Sequence, residues 1–209
     1  MYISPYAGKT GTIDGVIRAK FPDLRSGRLK PIFRCFLFTG PAGCGKTDLA
    51  VRLANDLAGN PLNITFRIGT AVTVDEVRDW RRNAPYRSIF GGLTVRIMDE
   101  VDTVPKAGVT ELREHMFFLP PWEVIFATTN LPVSQLHEPL QSRFKVEQFE
   151  RVNTNQVAEW LVRQFPDVPA DDLCEIARKS AGNVRAAEAD ADSMRDAIRY
   201  RYQQEEVAA

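Results

Sequence analysis

Cysteine is scarce in this chain: Cys35, Cys44 and Cys174 are the three in 209 residues. They are too few and too scattered for a disulfide framework or a zinc site, and read as small buried or loop residues in a reducing compartment. Histidine is scarcer still. His115 and His137 stand alone, without partners at metal-ligand spacing, and read as surface or packing residues. There is no excess charge of either sign, with 27 Lys plus Arg against 27 Asp plus Glu. Bulk electrostatics therefore give no sign of a nucleic-acid partner, and any such contact needs a local patch. Apolar runs stop at strand length, far short of the roughly 18 residues of a membrane span. No internal repeat or low-complexity segment occurs. Met1-Tyr2-Ile3-Ser4-Pro5 lacks the basic and then apolar regions of a secretory signal. These absences predict a protein that is not secreted and has no membrane association, cytoplasmic, or nuclear if eukaryotic.

What is present is ordinary globular composition, 44% hydrophobic and 26% charged, in a chain long enough to bury a core unaided. Apolar runs at 32–39, 62–68, 93–98, 124–128 and 144–149 alternate with helical patterns at 45–57, 74–83, 109–118 and, briefly, 134–142. Strands separated by helices predict βαβ units and a parallel sheet. The lack of polar alternation within the runs fits strands covered on both faces. After Glu150 the pattern changes to helices at 154–165, 170–180 and 183–200, with no strand between. Thr154 is the expected cap of the first. Pro166 and Pro169 separate the first two, Gly182 separates the last two, and the tail 203–209 is expected to fray. Residues 1–150 carry 19 basic and 16 acidic residues, and 151–209 carry 8 and 11. The expectation is therefore an α/β domain over 1–150 and an all-α domain over 151–209.

Two motifs carry chemistry. The apolar run ending at Thr39 enters Gly40-Pro41-Ala42-Gly43-Cys44-Gly45-Lys46-Thr47, with Asp48 next, and a helical pattern follows. Glycines let backbone N–H groups approach phosphate oxygens, and a helix N-terminus adds its positive end. In such a loop Lys46 reaches the β/γ-phosphates and Thr47 coordinates Mg²⁺. The run 93–98 then ends in Asp99-Glu100. A strand of the same sheet delivers its carboxyl end beside the loop, so Asp99 is expected to hold the Mg²⁺ shell and Glu100 to polarise the attacking water. Asp102 reads as a capping or loop residue.

Taken in order, Gly40–Thr47, Asp99-Glu100-Val101-Asp102, Ala127-Thr128-Thr129-Asn130, Glu138-Pro139-Leu140-Gln141-Ser142-Arg143-Phe144 and Gly182-Asn183-Val184-Arg185-Ala186-Ala187 resemble AAA+ ATPases. Over roughly residues 5–200 the chain is more closely similar to small subunits of replication factor C, the sliding-clamp loader. The resemblance implies a P-loop AAA+ core, a five-stranded parallel sheet flanked by helices, with a small helical lid. It implies ATP and Mg²⁺ as ligands. Asn130 becomes sensor 1, Arg143 an arginine finger for a neighbouring subunit's ATP, and Arg185 sensor 2. Tyr6 and Val16, with Ile13 or Ile17, become candidates to pack on adenine, a plain packing segment being the other reading. Clamp loaders carry a third, collar domain, for which the resemblance finds no counterpart here.

The resemblance also puts DNA near the helix at 74–83. Arg78, Arg81, Arg82 and Arg87 cluster there with Trp80 and Tyr86, either as phosphate contacts or as a solvated basic face. Arg67 matches the place of a polar residue that restrains the catalytic glutamate. The implied partners are other AAA+ subunits, DNA, and a sliding clamp or a helicase. The expected function is ATP hydrolysis coupled to DNA or clamp engagement. The alternatives are a helicase loader or other DNA-associated ATPase, or a module that uses ATP for assembly alone.

Overall fold

The computed structural model describes residues 9–208. Five strands, β1 (Cys35–Thr39), β2 (Ile64–Ile68), β3 (Thr94–Asp99), β4 (Glu123–Thr129) and β5 (Lys145–Gln148), form one sheet in the order β2-β3-β4-β1-β5. Every neighbouring pair is parallel. Burial follows position. All residues of β1 and β4 are buried, as covered central strands require, whereas edge strand β5 alternates. This is the parallel five-stranded P-loop fold expected from the alternating pattern.

Helices α3 (Lys46–Ala58), α4 (Val74–Asn83), α5 (Lys106–Phe117) and the single turn α6 (Glu138–Gln141) make the crossovers. α3 buries Leu49, Ala50, Leu53, Ala54 and Leu57, spaced to lie on one face. Ahead of the sheet, α1 (Lys9–Arg18) and α2 (Phe21–Ser26) form helices that the sequence pattern did not suggest. The expected strand start at Ile32 is instead a 3-10 turn, Pro31–Arg34, which Pro31 opens with its φ fixed in the helical range. The expected helix at 134–142 is divided between a 3-10 turn, Val133–Gln135, and α6.

The C-terminal helices are α7 (Thr154–Gln164), α8 (Ala170–Lys179) and α9 (Val184–Ala208). Asn153, not Thr154, caps α7: its side chain accepts from the Asn155 N–H, and Gln156 completes a reciprocal box. α9 runs on through the tail expected to fray. The chain divides into two compact units. One comprises Thr12–Gly40 and Lys46–Phe149, with a core that includes Leu37, Val77, Met98, Leu112, Ile125 and Phe144. The other includes Pro41–Gly45 and Glu150–Ala209, with a core around Val157, Trp160, Leu161, Leu173 and Val184. No helix of the described residues is long and apolar enough to cross a membrane.

Candidate nucleotide site

Parallel pairing sets the carboxyl ends of β1, β3 and β4 on one edge of the sheet, with Thr39 beside Thr129 and Met98 beside Ala127. Open α/β sheets take their ligands at that edge. β1 stops at Gly40, whose φ of 147° few side chains adopt. A Cβ there would lie 2.5 Å from the Phe149 carbonyl oxygen, so the position admits glycine alone. Lys46 and Thr47 open α3. Lys46 is 6% exposed, and its ammonium donates to the Gly40 carbonyl at 2.8 Å and to Asn130 Oδ1 at 2.9 Å. The Thr47 hydroxyl donates to Asp99 Oδ1 at 2.7 Å. Five sequence-expected residues are thus brought together: Lys46, Thr47, Asp99, Glu100 and Asn130.

Threonines at the strand ends fix this group. The Thr128 hydroxyl donates to Asp99 Oδ1 and accepts from the Glu100 N–H at 3.2 Å, using its donor and one lone pair. Thr129 donates to Asp102 at 2.6 Å, and Thr39 donates to the Leu131 carbonyl at 2.7 Å. Sequence reasoning missed these hydroxyls; their signal was a Thr closing an otherwise apolar run. Glu100 lies in the left-handed region, φ 55° and ψ 53°, a strained backbone for a non-glycine residue. Its carbonyl accepts from the Thr103 N–H and hydroxyl at 2.9 and 2.8 Å. Gly69 lies against the same carbonyl, where a Cβ would come within 2.2 Å.

The donor set fits Mg²⁺. A hydroxyl and a carboxylate oxygen 2.7 Å apart are hard ligands, and Mg²⁺ typically takes one or two protein oxygens, leaving the remainder to water and phosphate. Among the described residues no group of three or more His, Cys, Asp or Glu forms a cage for a metal ion.

In the other unit, the apex of the glycine loop is tied to the start of α9. The Val184 N–H donates to the Gly43 carbonyl at 3.0 Å. A Cβ on Gly43, at φ 74°, would meet Asn183 Oδ1 at 1.9 Å. Asn183 Oδ1 also accepts from the Ala186 N–H. Arg185 follows in the first turn of α9, exposed. Cys44 is fully buried.

The remaining expectations are placed unevenly. Asp48 pairs with Arg52 at 3.1 Å. Val16 is 41% exposed, whereas Ile13 and Ile17 turn into the core. Tyr6 lies outside the described residues. Of the arginines proposed for DNA, Arg78 and Arg81 both pair with Glu111 at 3.0 Å, and Arg81 also with Glu114. Arg82 pairs with Asp79, and Arg87 lies over the Trp122 ring. Arg67 donates to Glu76 at 2.8 Å rather than to Glu100. Sequence reasoning also missed a buried charge group at the amino ends of β3 and β4. There Glu123 accepts from Arg96 and meets His115 Nε2 at 2.9 Å. Burial alone would raise the Glu123 pKa; the His115 hydrogen bond and the Arg96 charge together hold it below the usual carboxylate range.

Residues 36–152 match the family described as ATPase family associated with various cellular activities (AAA). The chain is 29% identical over 175 residues to a replication factor C large subunit of Staphylothermus marinus, covering 76% of this chain and 38% of that protein. It is 29% identical over 164 residues to a replication factor C small subunit of Haloarcula marismortui, covering 72% and 49%. The chain thus spans about half or less of the curated relatives it matches. Among solved structures, a point mutant of Thermotoga maritima RuvB superposes with a TM-score of 0.70 at 22% identity, covering 93% of this chain and 64% of that one. That likeness concerns the fold.

Proposed function

The chain belongs to the AAA family of ATPases, and from that membership we propose that it hydrolyses ATP between neighbouring subunits, in the manner of a clamp loader. The observation that carries the reading is the joined set Lys46–Asn130 and Thr47–Asp99–Thr128–Glu100 at the carboxyl edge of the sheet. Lys46 holds phosphate charge. Its bond to Asn130 links the phosphate lysine to the proposed sensor 1, so one group reports on the other. Thr47 and Asp99 hold Mg²⁺, which supplies charge neutralisation on the phosphates when bound. Glu100 takes the proton of the attacking water; Thr128 fixes its backbone, leaving the carboxylate exposed. Arg143 completes the site of the adjoining subunit, and Arg185 contacts the nucleotide from the lid, residues 151–209. Hydrolysis by positioning and electrostatics needs these parts and no covalent intermediate.

The replication factor C relatives support coupling to a sliding clamp and DNA. In this reading Arg87, with Arg78, Arg81 and Arg82 once their acidic partners yield, contacts the phosphate backbone. The test is ATP turnover with primed DNA, with and without a sliding clamp. Stimulation by DNA that rises further with the clamp is expected. Stimulation by a replicative helicase instead, with no response to the clamp, would replace the clamp-loader reading by that of a helicase loader.

A further inference from the structure

An arginine that must meet a neighbour's phosphate has to be held without being neutralised beforehand. Arg143 follows α6, and its backbone N–H is fixed by the Leu140 carbonyl at 3.0 Å. Among the described residues its guanidinium makes no ion pair, and its buried Nε has no hydrogen-bond partner. The guanidinium carbon instead lies 5.4 Å from the centre of the Phe117 ring. Phe117, at the end of α5, is 55% exposed, and Phe118 beside it is 77% exposed. The two rings meet edge to face at 4.8 Å, so Phe118 props the ring that faces Arg143. Arg143 also lines an open cleft of about 520 Å³ with Glu138 and Ser142.

We infer that Phe117 is a positioning residue for the Arg143 finger, its π face holding the guanidinium in place while leaving the full positive charge for the incoming phosphate. The inference rests on the trans role of Arg143 proposed above. An aromatic face attracts a cation without accepting its hydrogen bonds, so the terminal N–H groups of the fork stay available for phosphate oxygens. A carboxylate in the same place would hold the arginine more strongly but would have to be displaced at each encounter. Ordering the long side chain in advance also removes part of the entropy cost of engagement. The exposed aromatic pair is otherwise unexplained: the core of this unit does not use it.

The experiment compares Phe117→Leu, Phe117→Tyr and Arg143→Ala, singly and with Phe117→Leu and Arg143→Ala combined. It reads ATP affinity, kcat and thermal melting. The expected result is that Phe117→Leu lowers kcat about two- to fivefold, the range of an exposed cation–π contact, with ATP affinity and melting unchanged. Phe117→Tyr should keep normal kcat, because the π face is retained. In the Arg143→Ala background, Phe117→Leu should have no further effect. Equal losses from Phe117→Leu with and without Arg143, or no loss in either, overturn the inference. Normal turnover in Arg143→Ala itself overturns the finger reading on which it rests, a failure distinct from the first.

Discussion

Glu100 combines a catalytic assignment with a left-handed backbone, and the two effects can be separated by substitution. Glu100→Gln keeps shape and hydrogen bonding but cannot take a proton from water. It should bind ATP and Mg²⁺ normally and hydrolyse roughly 10²-fold more slowly or worse, measured by single-turnover kinetics beside a binding titration. Glu100→Gly should be equally inactive, yet relief of the positive φ should offset most of glycine's entropy cost, leaving its melting temperature close to that of wild type. Lys46→Ala removes the buried ammonium between Gly40 and Asn130 and should weaken ATP binding about tenfold or more in calorimetry. At this scale the motif residues were legible because Gly-x-x-x-x-Gly-Lys-Thr and Asp-Glu mark themselves by spacing. Thr128 was not legible, since a threonine closing a strand is common and its partners Asp99 and Glu100 come from a different strand.

Between elements, several close fits are backbone against backbone. Gly40→Ala would force the Phe149 carbonyl away from the turn that ends β1 and would hold alanine at φ 147°. A loss of about 2 kcal/mol or more is expected in chemical denaturation. The Glu123 group at the other end of the strands predicts a pH dependence. Its native pKa is depressed, so its contribution is complete above the ordinary carboxylate value of about 4.3 and is lost as pH falls through the lower native value. Glu123→Gln leaves Arg96 uncompensated and should cost about 3 kcal/mol near neutral pH. The gap between variant and wild type should narrow in acid-range denaturation curves. The strands were legible because covered parallel strands read as unbroken apolar runs. The limits moved where local chemistry decided them: the turn that Pro31 opens delays the start of β1 to Cys35, and Asn153 takes the cap from Thr154. The Arg96–Glu123–His115 contact escaped because its members lie up to 27 residues apart and no motif announces them.

For the whole molecule, order of motifs along the chain identified the fold, since a P-loop, an acidic strand end and a later Arg143 suffice to assign a parallel AAA sheet. Charge patterning read less well. The arginines of α4 looked like a phosphate-binding face, but the acidic residues that pair with Arg78 and Arg81 come from α5, which linear sequence does not place beside them. The central claim, that each ATP is hydrolysed with an arginine from the next subunit, belongs to this scale. It is tested most directly by mixing Arg143→Ala with Lys46→Ala. Each variant alone should turn over ATP poorly, Arg143→Ala by about 10³-fold while binding ATP normally. In the mixture an intact Lys46 site can adjoin an intact Arg143. Turnover should then exceed the sum of the two separate variants and rise with total protein concentration, as mass action requires. Turnover equal to that sum at every concentration, with wild-type specific activity independent of concentration, would contradict the account.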